Sequence, residues 1–563
     1  MLRFRGSMQV SALRSQGGAV SAEMVASKHD RRSSSTESQV YNKQVVTRAI
    51  SRRGLFRDYK QVALRSRAPA KVAQGRRMTP VVSSAASALI SFPEDGAEQP
   101  QTPLMSTGGT YTIDDCLDQA GVGRYQMMTL ALMLLTFAAS GYQIMVSVFT
   151  ETPATIGALW GLSIWQITSL KSLFFAGSLI GALAAGALSD KYGRKPTWMW
   201  ANALAVSAFA LSAFAPSYSV YACLRFCCGA AAQAAAIAAY SHSAEVFGLK
   251  YSATLGVVFN MCFTLGLITI CGIQAFFEPT WRMLILGMSL LGWITIPFMS
   301  FVLESPRWYM GKGRVEEAEA TLKQMADVNH MQLPAGSLKR PEVEKRQAGG
   351  EEKEEKAGGA AGSMADLFTN PSGLRITIAM TLLWGVSACT YYGLSLNAGN
   401  LGGSVCLNLA LLFMMEIPGY FVCGWMSNQP GIGRKGAIVT LMWVSSFCCL
   451  IVWALAAYGL GLAPWVSTAV SLVGKAAVSG VFASVYVYTA ELYPTYVRSS
   501  GLGFSSACAR VGGAAAPQII MLASLVSANL AQLVFAMMGA VATIALMILA
   551  GETYGKPLKD SFD

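Results

Sequence analysis

Histidine is almost absent from this chain. There are three in 563 residues, His29, His242 and His330. No H-E-x-x-H occurs, and no set of paired cysteines has zinc-site spacing. A catalytic base or a metal centre has little to be built from, so neither an enzyme, a metal nor a cofactor is expected. Charge is scarce as well: Asp, Glu, Lys and Arg make up 13% of the residues, against 53% hydrophobic. Soluble domains carry about 25% charged residues. The sequon Asn-x-Ser/Thr (x not Pro) is missing, so sidedness must be argued from charge rather than from glycosylation. Twelve cysteines are present, but most lie inside apolar runs (Cys223, Cys227, Cys228, Cys262, Cys448, Cys449), where they read as small packing residues rather than a disulfide framework.

The net charge of +12 belongs to the tail. Residues 1–90 hold 17 Lys/Arg and 4 Asp/Glu, which leaves the rest of the chain near neutrality. No nucleic-acid partner is needed to explain the balance. Residues 1–104 are rich in Ser, Arg and Ala, with no acid before Glu23. This composition fits a mitochondrial transit peptide, and by its length and later acids it fits a disordered basic cytosolic tail better. A third reading starts the body at Met105, in M-S-T-G-G-T-Y-T-I-D-D-C-L.

From Tyr125 onward, apolar windows of about 20 residues recur, the length that crosses a bilayer. They predict an all-α membrane protein with helices near 125–149, 166–189, 196–215, 218–241, 252–276, 280–303, 374–397, 403–427, 435–459, 464–489, 500–525 and 528–550. The twelve form two groups of six. This gives an N-terminal bundle at 105–303, a polar linker at 304–373, a C-terminal bundle at 374–551 and a tail at 552–563. Within the linker, residues 342–362 mix charges and glycines without aromatics and read as solvated. Loops after helices 2, 4, 6, 8 and 10 carry Lys191, Arg194, Lys195, Lys250, the linker basics, Arg434, Lys435 and Arg498. Those after helices 1, 3, 7, 9 and 11 carry no Lys or Arg. The positive-inside rule then places both termini and the linker in the cytosol.

The halves repeat. Y-S-H-S-A-E-V-F-G-L-K-Y-S-A-T-L-G (240–256) returns as Y-V-Y-T-A-E-L-Y-P-T-Y-V-R-S-S-G-L-G (486–503). G-A-L-S-D-K-Y-G-R-K (186–195) returns as G-W-M-S-N-Q-P-G-I-G-R-K (424–435), and V-L-E-S-P-R-W faces A-G-E-T-Y-G-K after the last helix. Parallel six-helix repeats with a site at the midplane describe a rocking transporter.

At these residues the chain resembles the major facilitator superfamily, and more narrowly the organic cation, organic anion and carnitine transporter family (solute carrier family twenty-two). The motifs are G-A-L-S-D-K-Y-G-R-K; E-S-P-R-W-Y-M-G-K-G-R-V-E-E-A; Y-Y-G-L-S-L-N-A-G-N-L-G-G-S-V-C-L-N with E-I-P (391–418); and Y-T-A-E-L-Y-P-T-Y-V-R-S-S-G-L-G. The resemblance covers about residues 110–560. It implies two pseudo-symmetric six-helix bundles in a plasma-membrane carrier of small organic ions, with the mitochondrial inner membrane as the alternative if the tail is a transit peptide. A coupling ion, Na+ or H+, is left open. The chain departs from the family in three ways. The connection between helices 1 and 2 shrinks to 150–165, Asn428 replaces the second Asp of the loop motif, and helix 1 carries no carboxylate.

Three charges fall near the midplane. At 1.5 Å per residue, Lys475 and Arg510 lie about 15 Å into their helices and Glu416 about 18 Å, in a core of about 30 Å. Two cations against one acid leave one cation over. Glu416 and Lys475 read equally as a buried pair or as ligands. Arg510 has the planar fork that suits a carboxylate or sulfonate. The resemblance adds that members with Arg at this place in helix 11 handle anions or carnitine, whereas cation transporters carry Asp. It also makes Trp384, Tyr391 and Tyr392 of helix 7 candidate pore-lining aromatics, suited to a quaternary ammonium; by spacing alone they read as core. Arg225 lies nearer the outer face, and Lys171 reads as snorkelling to it. Asp190, Arg194, Glu245, Glu304, Arg307, Glu491 and Arg498, at equivalent helix ends of both halves, read as a cytoplasmic gate of ion pairs, each worth about 0–1 kcal/mol. A sugar-type facilitator is a more distant reading, and no filter-like pattern supports a channel.

Overall fold

The computed structural model describes residues 110–562, apart from 249–250, 335, 340–363, 402, 459–463, 495, 528 and 557–560. The basic tail, Lys250 and the 342–362 stretch lie outside the described residues.

Among the described residues, twelve long helices follow one another. In the first half they are α1 (Arg124–Met145, continued by Ser147–Thr150), α2 (Ile164–Tyr192), α3 (Arg194–Ser212), α4 (Tyr218–Val246), α5 (Ser252–Phe277) and α6 (Trp281–Met299). In the second they are α7 (Pro371–Leu396), α8 (Val405–Ser427, broken at Met415), α9 (Gly433–Ala457), α10 (Pro464–Leu492), α11 (Arg498–Ser524) and α12 (Leu530–Leu549). Local signals set the starts: Ser163 and Gln166 form a capping box before α2, and Asn370 caps α7 with Pro371 in its first turn. Ten of the twelve are apolar and long enough to cross a membrane on composition alone. The other two are α3, which opens with Arg194 and Lys195, and α11, built from Gly, Ala and Ser around Arg510.

Packing repeats with the sequence. The pairs α1–α5, α2–α4 and α3–α4 of the first half reappear as α7–α11, α8–α10 and α9–α10. Glycine fixes two equivalent contacts. A Cβ on Gly266 of α5 would sit 2.1 Å from the carbonyl oxygen of Ala138 in α1. One on Gly512 of α11 would sit 2.0 Å from that of Gly385 in α7. Within a bilayer, where helices gain nothing by shedding water, such backbone approach is a main source of association.

The two halves meet through α2–α11 and α5–α8, and these contacts gather at the end of the bundle that holds the 150–164 connection. Ser172 Oγ donates to the Ala514 carbonyl at 2.7 Å, and Gln518 Nε2 donates to Ser172 Oγ at 3.0 Å. Leu267, Ile270 and Cys271 of α5 share an apolar cluster with Leu409, Leu412 and Phe413 of α8. At the opposite end, Tyr240 of α4 and Tyr486 of α10 stand 43% and 40% exposed.

The stretch expected as a linker is folded in its first part. Helices Pro306–Gly311 and Val315–Asn329 follow α6. Ala318, Leu322 and Met325, spaced for one helix face, are buried with Ile113 and Leu117 of the short Ile113–Ala120 helix and with Tyr125. A two-residue parallel pairing, β1 (Thr110–Tyr111) with β2 (Ser337–Leu338), ties the chain ahead of α1 to this belt.

Candidate functional site

Glu416 and Lys475 form a buried pair, Oε1 to Nζ at 3.0 Å, with neither side chain exposed. The break of α8 at Met415 sets Glu416 at the start of the second segment, facing α10. Lys475 also donates to the Tyr391 carbonyl at 3.2 Å and to Ser395 Oγ at 2.9 Å, and it lies 3.0 Å from the centre of the Tyr391 ring. The other carboxylate oxygen of Glu416 accepts from Tyr420 at 3.1 Å and from Thr264 at 2.7 Å. Thr264 belongs to α5, so this hydrogen bond crosses between the halves. Of the two sequence readings for Glu416 and Lys475, the ion pair is the one formed in this conformation.

That leaves Arg510. It is half-buried, donates to the Ser506 carbonyl of its own helix at 3.3 Å, and has no ion pair among the described residues. The phenol of Tyr392 lies within electrostatic reach of Arg510 and of Tyr486. The Tyr392 ring meets Tyr391 edge-on at 5.0 Å and Phe175 of α2 at 4.6 Å. Trp384 stands apart from the charges. It is fully buried, its indole N–H donates to Thr489 at 2.9 Å, and its ring supports that of Tyr486 at 4.5 Å. Arg510, Tyr392, Tyr486 and Tyr240 are thus among the polar and aromatic groups left at least partly exposed. Lys475, Glu416 and Tyr391 form one closed cluster behind them.

The first half holds a second buried pair. Arg225 Nε lies 2.7 Å from Glu151 Oε1, with side chains 1% and 0% exposed. Tyr221 donates to the same oxygen at 3.3 Å, and Arg225 donates to the Gln143 carbonyl at 2.9 Å and covers the Phe174 ring at 4.7 Å. Glu151 was missed by the sequence reading because it falls just past the apolar window. The signal was its depth: Glu151 ends α1 and Arg225 lies seven residues into α4, both near the same membrane face. Tyr240 and Tyr486 were missed although the repeat aligns them. Thr264 carries no sequence signal.

The gate residues cluster at the 192–194 end and pair within their own halves. Arg194 reaches Asp190 at 2.7 Å and Glu245 at 3.0 Å, and Arg307 reaches Asp114 at 2.6 Å. Glu304 accepts the backbone N–H groups of Arg194 and Lys195 at 3.0 and 3.2 Å; burial raises its pKa despite these bonds. In the second half, Arg434 lies 3.5 Å from Glu491 and donates to Asn428 at 3.1 Å, an uncharged acceptor where the first half has the carboxylate of Asp190. Glu552 accepts from the backbones of Arg434 and Lys435 at 2.9 and 3.0 Å. Burial opposes its charge, but the ring of backbone donors outweighs that and lowers its pKa. Arg498 donates to the Ala490 carbonyl at 2.7 Å. Asp114, Arg434 and Glu552 join the set that the sequence reading named.

The comparisons agree with this architecture. The chain matches the Sugar (and other) transporter family over residues 107–561. It is 31% identical over 405 residues to solute carrier family 22 member 15 of Xenopus tropicalis, covering 72% of this chain and 73% of that one. It is 28% identical over 432 residues to organic cation/carnitine transporter 2 of Homo sapiens, covering 75% and 73%. Its fold resembles the xylose transporter XylE of E. coli in an inward open conformation, with a TM-score of 0.59, 14% identity, and coverage of 77% and 98%. The chain is therefore a membrane transporter of the major facilitator superfamily, a member of the Sugar (and other) transporter family and, within it, of solute carrier family 22.

Proposed function

We propose that this transporter carries a small organic anion or a carnitine-like zwitterion by alternating access through a midplane cavity, with Arg510 holding the negative group. The observation that carries the reading is Arg510 itself, a half-buried cation in a membrane helix with no acid paired to it among the described residues. Such a charge is costly unless a partner arrives, and a guanidinium favours a carboxylate. Tyr392, Tyr486 and Tyr240 supply aromatic faces for a quaternary ammonium at the other end of a zwitterion. The 192–194 end, basic through Lys191, Arg194, Lys195, Arg434 and Lys435, is the cytosolic one, the termini are cytosolic, and the plasma membrane is the site of action. The contacts between the halves at the 150–164 end support reading this conformation as the inward-facing one. In the outward-facing state the charges of the 192–194 end exchange partners to latch the halves together.

A second reading, simple cation transport, draws support from the aromatic wall and from relatives named for organic cations. Its acid would be Glu416, but Lys475, Thr264 and Tyr420 already hold that carboxylate. Uptake of radiolabelled carnitine, para-aminohippurate and tetraethylammonium into proteoliposomes decides between them, with and without imposed Na+ or H+ gradients. The proposal expects uptake of the first or second and its acceleration by substrate loaded on the far side. Uptake of tetraethylammonium alone would overturn it.

A further inference from the structure

We propose that Lys171 is a second anion-recognising group of this transporter. It meets the substrate's negative group on the 150–164 side before Arg510 does, an inference that rests on the reading of Arg510 above. Among the described residues, each half carries one buried acid in the apolar layer, Glu416 or the Glu151 that ends α1, and two bases inside its helices. In the second half, Glu416 takes Lys475 and leaves Arg510. In the first, Glu151 takes Arg225 and leaves Lys171. Lys171 has no hydrogen bond or ion pair among the described residues and feels Glu151 only at longer range.

The sequence reading of Lys171 as a snorkelling lysine does not fit its surroundings. A snorkelling lysine belongs on a lipid-facing stripe, where residues three and four away are exposed. Here those neighbours are Ile167, Thr168, Phe174 and Phe175, all buried at 4%, 8%, 2% and 5%. Lys171 therefore stands on the inward face of α2.

Its place on that face is set by the seam with α11. Ser172, the next residue, bonds Ala514 and Gln518. Phe175, one turn deeper, meets Tyr392 edge-on, and Tyr392 neighbours Arg510. Arg510 lies one turn below Ala514 on α11. Lys171 and Arg510 thus flank the Phe175–Tyr392 contact, Lys171 on the 150–164 side. When that end opens, the seam parts and an entering anion encounters Lys171 first. A fixed charge at the mouth of a low-dielectric cleft acts on encounter rate and on apparent affinity from its own side.

The test uses full-length protein in sided proteoliposomes, with para-aminohippurate and carnitine as probes. Lys171→Gln is expected to raise the KM for either probe presented on the 150–164 side about tenfold and to flatten its salt dependence. The KM from the opposite side and the thermal midpoint should stay unchanged, and Lys171→Arg should restore the one-sided KM. Unchanged KM on both sides would overturn the proposal. So would an equal rise on both sides with a lowered thermal midpoint, which would make Lys171 only a balance for Glu151. If Arg510→Ala transports anions normally while Lys171→Gln keeps its one-sided effect, the Arg510 reading fails and this one stands.

Discussion

Arg510→Ala is expected to lose about 30-fold to several thousand-fold in affinity for anionic and zwitterionic substrates, while the protein still reaches the membrane. The magnitude follows from removing a buried, hydrogen-bonded charge partner, about 2–5 kcal/mol. Expression should survive because Arg510 donates to its own helix and, among the described residues, has no ion pair that braces another element in this conformation. Arg510→Lys keeps the charge but not the planar fork, and should fall between. Arg510→Asp should abolish anion uptake. Uptake kinetics on surface-quantified protein check all three. A well-expressed Arg510→Ala protein with unchanged KM for every anion and zwitterion tested would remove Arg510 from the site.

Breaking the Glu416–Lys475 pair is expected to act in the opposite manner, on the folded state first. Lys475→Met strands a carboxylate among Tyr391, Tyr420 and Thr264. Glu416→Leu strands an ammonium against the Tyr391 ring. Removing one partner of a buried pair typically costs about 3–5 kcal/mol, whereas replacing both with apolar groups is often neutral. The double variant should therefore recover most of the thermal midpoint that either single variant loses. Melting of purified protein in detergent reads this directly. Singles as stable as the parent would mean that the pair is not a lock, and Glu416 would then return as a candidate cation ligand.

The spans were legible because ten of the twelve are long apolar runs bounded by caps, prolines or charges, because the repeat supplies the other two, and because hydrocarbon permits few other solutions. The midplane charges were legible for the same reason: in an apolar helix a lysine or arginine has nowhere to hide. Their pairing was not legible. Whether Lys475 faces Glu416 or the cavity depends on helix rotation and on the break at Met415, which no local pattern announces. Trp384 shows the limit from the other side. Seven residues from Tyr391, it shares a face with it by spacing, yet it ends fully buried behind Tyr486 while Tyr391 lies against Lys475. Glu151 was lost to a boundary: a window that stops at the last apolar residue discards the acid that caps it.

The surplus of one base in each half has an electrical meaning. Moving one elementary charge across a full membrane potential of 100 mV is worth about 2.3 kcal/mol. Lys171 and Arg510 both sit within the layer where that potential falls, so any rocking that shifts them along the membrane normal does work against it. A bound monoanion cancels one of the two charges, and the empty carrier keeps both. The return of the empty carrier is then the more voltage-sensitive half of the cycle, and clamping the vesicle potential should change net uptake more than one-for-one exchange. Equal voltage dependence of the two modes would show that neither charge moves within the field.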